Sequence, residues 1–101
     1  MKRGEIWWAN LDKKRPVLLL SRDEAYEHRA LITIAPLTTK IRGFSVEVRV
    51  GKQERLPKPC VINLDTLATV PKMSLSERIS TLSGHKISKV NDALRFALAL
   101  D

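Results

Sequence analysis

From Gly4 to Asn10 the chain runs Gly-Glu-Ile-Trp-Trp-Ala-Asn, an aromatic-rich stretch opened by a glycine, which predicts a first strand. Asp12-Lys13-Lys14-Arg15 follows as a short charged turn. Pro16 to Leu20 is then a continuous apolar run, the pattern of a strand buried on both faces. A proline at its first position costs no ladder hydrogen bond and holds Arg15 extended. Asp23 to Arg29 is polar and predicts a turn with a helical start, and Ala30 to Leu37 is a third apolar strand. Phe44, Val46, Val48 and Val50 alternate with Ser45, Glu47 and Arg49, so a fourth strand has one wet face. Pro57 and Pro59 punctuate a loop before a fifth strand over Cys60 to Leu64, with Asp65 to Val70 as its continuation. Arg78 to Leu82 predicts a short sixth strand.

The period changes at the end of the chain. Ile87, Val90, Leu94, Ala97 and Leu98 fall on one face at helical spacing, with Lys89, Asp92 and Arg95 off it, so Ser88 to Leu100 predicts an amphipathic helix packed on the sheet. The resulting class is α+β and mainly β: a small, curled antiparallel sheet with a C-terminal helix. An SH3-like barrel agrees with that pattern, and periodicity alone also admits other α+β arrangements. At 101 residues the chain has room for a single domain, 1–101, with one modest core.

Charge adds the first functional information. Eighteen Lys and Arg stand against eleven Asp and Glu, a net charge of +7, and the basic residues run from Lys2 to Arg95 without forming a tail. A folded domain this basic attracts a polyanion, either nucleic acid or an acidic protein. No apolar run approaches the roughly 20 residues that span a bilayer, and the first residues lack a signal-peptide core. The lone Cys60 allows no internal disulfide, so a cytoplasmic protein is the expectation. One cysteine and two distant histidines, His28 and His85, match no metal-ligand spacing, and no glycine-rich phosphate loop occurs. No metal and no cofactor are expected.

Four segments together carry a family resemblance. Lys2-Arg3-Gly4-Glu5-Ile6-Trp7, Arg15-Pro16-Val17-Leu18-Leu19-Leu20-Ser21, Ala35-Pro36-Leu37-Thr38 and Lys89-Val90-Asn91-Asp92-Ala93-Leu94 resemble, in order, four signature stretches of the MazF/PemK toxins. The resemblance spans nearly the whole chain. It implies a barrel-like homodimeric toxin from a bacterial toxin–antitoxin pair. Such a toxin is a sequence-specific, metal-independent endoribonuclease that cleaves single-stranded RNA to a 2′,3′-cyclic phosphate and a 5′-hydroxyl, and an acidic antitoxin neutralises it. Carried onto this sequence, the catalytic positions are Arg15 and Thr38, with Asp65 as a weaker match to an aspartate of the related plasmid toxins. The chain departs from the family between its first two strands. A loop on the ten-residue scale is reduced here to Leu11-Asp12-Lys13-Lys14, which leaves the groove more open.

These residue types suit the chemistry. When RNA is cut by its own 2′-hydroxyl, the protein must stabilise the charge that builds on phosphorus. A guanidinium at Arg15 can grip two phosphoryl oxygens, and its high pKa suits charge stabilisation better than proton donation. The Thr38 hydroxyl can hydrogen-bond a third. Lys13, Lys14, Lys40 and Arg42 cluster around these positions in sequence and are the candidate RNA-binding cations. Trp7 and Trp8 point to opposite faces of their strand, one to the core and one free for a base or an interface. Two alternatives stay open: a gyrase-poisoning toxin of the same fold, and a non-catalytic RNA-binding barrel.

Overall fold

The computed structural model describes residues 1–101. Seven strands occur: β1 (Glu5–Asn10), β2 (Lys14–Leu19), β3 (Leu31–Thr38), β4 (Glu47–Val50), β5 (Cys60–Asn63), β6 (Ala68–Pro71) and β7 (Leu75–Thr81). They form one antiparallel sheet in the order β4-β5-β3-β2-β1-β7, with β6 beside β3. Two α-helices accompany it, the single turn α1 (Ala25–His28) and α2 (Gly84–Ala97), with short 3-10 turns at Lys52–Glu54 and Lys72–Ser74. The mainly β class, the antiparallel pairing and the terminal helix therefore stand as the sequence predicts.

The sheet is covered on both sides. Ile6, Leu18, Ala35, Ile62 and Leu64 pack with Val90 and Ala93 of α2 in one cluster. Ala9, Val17, Leu19, Ile32 and Ile34 pack with Tyr26 of α1, Val70 and Leu75 in a second. Neighbouring residues of β2 thus serve opposite cores, which is why its sequence is apolar throughout instead of alternating. The expected alternation holds, with Val46, Val48 and Val50 buried, but β4 begins only at Glu47, and Phe44, ahead of it, is exposed.

Several boundaries differ from the sequence reading: β2 begins at Lys14, two residues before Pro16, and α2 ends at Ala97, short of Leu100. α2 begins at Gly84, capped by the Ser83 hydroxyl, which accepts from Lys86 N at 3.2 Å. β7 begins at Leu75, three residues before the expected Arg78. The predicted continuation of the fifth strand is interrupted, because Leu64–Leu67 leaves the ladder between β5 and β6.

The cause of that interruption lies across the ladder, in β3. Leu20 N donates to Thr33 O at 3.0 Å and Ala35 pairs with Leu18, so odd-numbered residues of β3 turn their backbone groups toward β2. Even-numbered residues serve the far edge, where Ile32 and Ile34 face β6 and Thr38 faces β5. Pro36 falls between them with no N–H to offer, and the ladder opens there. Leu37 pairs with Ile62 and Ile34 with Ala68, so three steps along β3 are matched by six along β5–β6, an excess of three residues.

Candidate active site

A cleft of about 400 Å³ sits at this opening. Arg15 enters it from the start of β2, Pro36 and Thr38 from the end of β3, and Lys40 and Arg42 from the loop beyond. Asn63, Thr66 and Ala68 form the wall made by the β5–β6 break, and Leu11 closes the rim. Val17 pairs with Pro36, which puts Arg15 and Thr38 on the same face of the sheet although 23 residues separate them.

The polar groups are held by local bonds that leave donors free. Asp12, in the β1–β2 turn, accepts from Arg15 Nε at 3.0 Å and Nη2 at 3.1 Å. Bonding to that carboxylate raises the Arg15 pKa, and hydrogen bonds from the Arg15 side chain and the Lys13 backbone hold Asp12 down at about 2. Thr38 Oγ1 accepts from Lys40 N at 3.1 Å, so its own O–H is free to donate into the cleft. Glu47 Oε1 accepts from Arg42 N at 3.1 Å and Gly43 N at 2.9 Å, which fixes the path of the loop bearing the cations. Asn63 Oδ1 accepts from Asp65 N at 2.9 Å, leaving both amide N–H groups of Asn63 for another acceptor.

Of the residues the sequence singles out, Arg15, Thr38, Lys40 and Arg42 come together. Asp65 does not join them. The turn that bonds its N–H to Asn63 sends it into a separate concavity with Gly43, Phe44, Ser45, Val46 and Phe96. Lys13 and Lys14 do not line the cleft either. Lys14 alternates with Arg15 along β2 and sits on the opposite face, its Nζ 5.1 Å from the centre of the Trp8 ring. Trp7 packs against the second core cluster and donates its Nε1–H to Glu5, so both tryptophans have structural partners. Asn63 and Thr66 escape sequence reasoning, because only the three-residue excess brings them to face Arg15. His28 and His85 are exposed and lie outside the cleft.

The ionisable groups lining the cleft are all cationic, and they stand beside hydroxyl and amide donors. Such a lining can bind a phosphodiester and stabilise added negative charge on it. Fold and site together define a small basic, mainly β protein whose curled antiparallel sheet carries a cation-lined cleft at a break.

The chain belongs to the PemK-like, MazF-like toxin family of type II toxin–antitoxin systems, whose sequence profile matches residues 2–98. It is 37% identical over 93 residues to the endoribonuclease MazF3 of Mycobacterium tuberculosis strain H37Rv, covering 92% of this chain and 90% of that protein. It is 34% identical over 97 residues to the probable endoribonuclease MazF2 of the same strain, covering 94% and 95%. Among solved structures, the Mycobacterium tuberculosis toxin MazF-mt6 superposes with a TM-score of 0.91 at 36% identity, over 96% of this chain and 98% of that one. An endoribonuclease from a mycobacterial species, solved in complex with its cognate antitoxin, superposes with a TM-score of 0.90 at 27% identity, over 100% and 97%.

Proposed function

We propose that this protein is an endoribonuclease toxin that cuts single-stranded RNA by attack of a 2′-hydroxyl on the adjacent phosphorus. The observation that carries the reading is the convergence of Arg15, Thr38, Lys40 and Arg42 on one cleft whose lining holds no carboxylate. Lys40 and Arg42 neutralise the incoming phosphate backbone. The Arg15 guanidinium and the Thr38 hydroxyl take the phosphoryl oxygens as the pentacoordinate charge develops. Asn63 offers further N–H donors from the opposite wall. The 2′-oxygen loses its proton to solvent and the departing 5′-oxygen gains one. The products are a 2′,3′-cyclic phosphate and a 5′-hydroxyl, and no metal is required. Asp65, outside the cleft, receives no proton-transfer role. The names of the mycobacterial relatives support ribonuclease activity. An acidic antitoxin segment would fill the same cleft with carboxylates in place of phosphates. An RNA substrate places the toxin's action in the cytoplasm.

The test is incubation of the purified protein with a long single-stranded RNA in EDTA, followed by mapping of the fragment ends. Cuts at a preferred sequence with 5′-hydroxyl ends are expected, and Arg15→Ala should slow them by about 10²- to 10³-fold, the usual effect of removing one transition-state donor. RNA that is bound yet left intact would make this a binding barrel. Inhibition of gyrase supercoiling without RNA cleavage would make it a topoisomerase poison.

A further inference from the structure

We propose that Asp12 is a positioning residue, which orients the Arg15 guanidinium so that its terminal edge faces the scissile phosphate. The inference rests on the ribonuclease reading of Arg15 and adds to it a residue of the shortened turn. A guanidinium has two edges that can bind an oxyanion in a fork, the side edge through Nε and one Nη, and the end edge through both Nη atoms. Asp12 takes the side edge at 3.0 and 3.1 Å. Arg15 has no other side-chain partner, so its end edge is free, and it lines the cleft together with Thr38.

The turn that carries Asp12 is itself closed. Leu11 N donates to Lys13 O at 3.2 Å, and β1 and β2 pair from Asn10 and Lys14 onward. Asp12 is therefore fixed to the same two strands as Arg15, and the pair moves with the sheet. Both side chains are solvent-accessible, 71% exposed for Asp12 and 40% for Arg15. An accessible ion pair contributes little to folding, so its consequence lies in where Arg15 points. Asp12 also stays ionised throughout the range in which RNA is handled, because the bonds from Arg15 and the Lys13 backbone hold its pKa well below the usual carboxylate range. The pair is therefore not a pH gate.

The same carboxylate places a negative charge next to the cleft, and this opposes phosphate binding in the ground state. Orientation and repulsion therefore give Asp12→Asn two effects of opposite sign. With an RNA oligonucleotide carrying the preferred cut, kcat should fall roughly 10- to 100-fold, the scale of a misplaced catalytic group. KM should fall about 2- to 5-fold as the repulsion is lost. Asp12→Glu, which keeps the fork and the charge, should recover most of kcat, and the thermal midpoint should stay that of the wild type. Independently of turnover, the Arg15 Nε–H proton should exchange with solvent faster in Asp12→Asn than in the wild type.

A variant in which kcat rises together with affinity would overturn the proposal and make Asp12 a phosphate mimic that blocks the site. Unchanged kcat with unchanged Nε–H exchange would overturn it as well. Either result beside a wild type that cleaves RNA leaves the ribonuclease reading intact. A wild type that leaves RNA whole removes both.

Discussion

Glu5 enters the sequence as one letter of Arg3-Gly4-Glu5-Ile6, yet its side chain is 8% exposed and fully engaged. Its Oε1 accepts from Lys2 N and Trp7 Nε1, both at 3.0 Å, and its Oε2 from Arg78 Nη1 at 3.3 Å. Burial pushes the Glu5 pKa up, but the bonds from Trp7, Lys2 and Arg78 outweigh it and the net shift is below the ordinary 4.5. A depressed carboxylate stabilises the fold above its unfolded pKa and loses that contribution as pH falls through its folded one. Unfolding free energy should therefore decline as pH drops below 4.5. Glu5→Gln should cost about 1–3 kcal/mol at neutral pH and flatten the decline, so that the two proteins converge in acid. Denaturant titrations at several pH values check this. At the same scale, Arg15 and Thr38 stand out in the sequence through their motifs, and Pro16 holds Arg15 extended, which the structure places within β2. Asn63 is not legible: inside the run Cys60 to Leu64 it reads as an ordinary strand position, and nothing local tells that the strand ends there and the ladder opens opposite it.

At the scale of elements, what the sequence conveys depends on whether the cue is local. The two-core burial of β2 follows directly from its unbroken apolar run. The start of α2 is hidden, since Ser83, Gly84 and His85 carry no apolar periodicity and only the hydroxyl cap marks them. Its end is hidden for a related reason. Leu98 continues the apolar stripe, but the helix closes when Ala99 adopts φ 55° and Leu100 N donates to Arg95 O at 2.8 Å, with no glycine to signal it. The join between α2 and the sheet depends on Gly4. Its φ is +93°, Leu82 N donates to its carbonyl at 2.9 Å, and an added Cβ would lie 2.8 Å from Ile87 Cδ1. Gly4→Ala should destabilise the protein by about 1–3 kcal/mol through backbone strain and displacement of Ile87. Its thermal midpoint should drop by roughly 4–8 °C for each kcal/mol. A calorimetric midpoint equal to that of the wild type would refute the strain at this junction.

At the scale of the whole molecule, the net charge of +7 points toward a polyanion, and the fold decides how much of it meets the substrate. Three cations, Arg15, Lys40 and Arg42, line the cleft, while Lys14 is turned away over Trp8 and Lys86 is drawn to the Arg49 carbonyl and to Glu54. Single-stranded RNA should accordingly bind with a log–log salt slope near −2, from about 0.7 per neutralised phosphate and three cations. Arg42→Gln should make the slope shallower by about 0.7, measured by anisotropy on an uncleavable RNA analogue. A slope several times steeper would place the binding surface well beyond the cleft. The whole arrangement turns on the excess of three residues opposite Pro36. Because that excess is taken up in a turn and not in a ladder, a residue gained or lost between Asp65 and Thr66 leaves the pairing of β3 with its neighbours unchanged. Diversification of the cleft wall is thereby separated from inheritance of the barrel. Descendant lineages can try new wall chemistry one step at a time, without each trial putting the fold at risk.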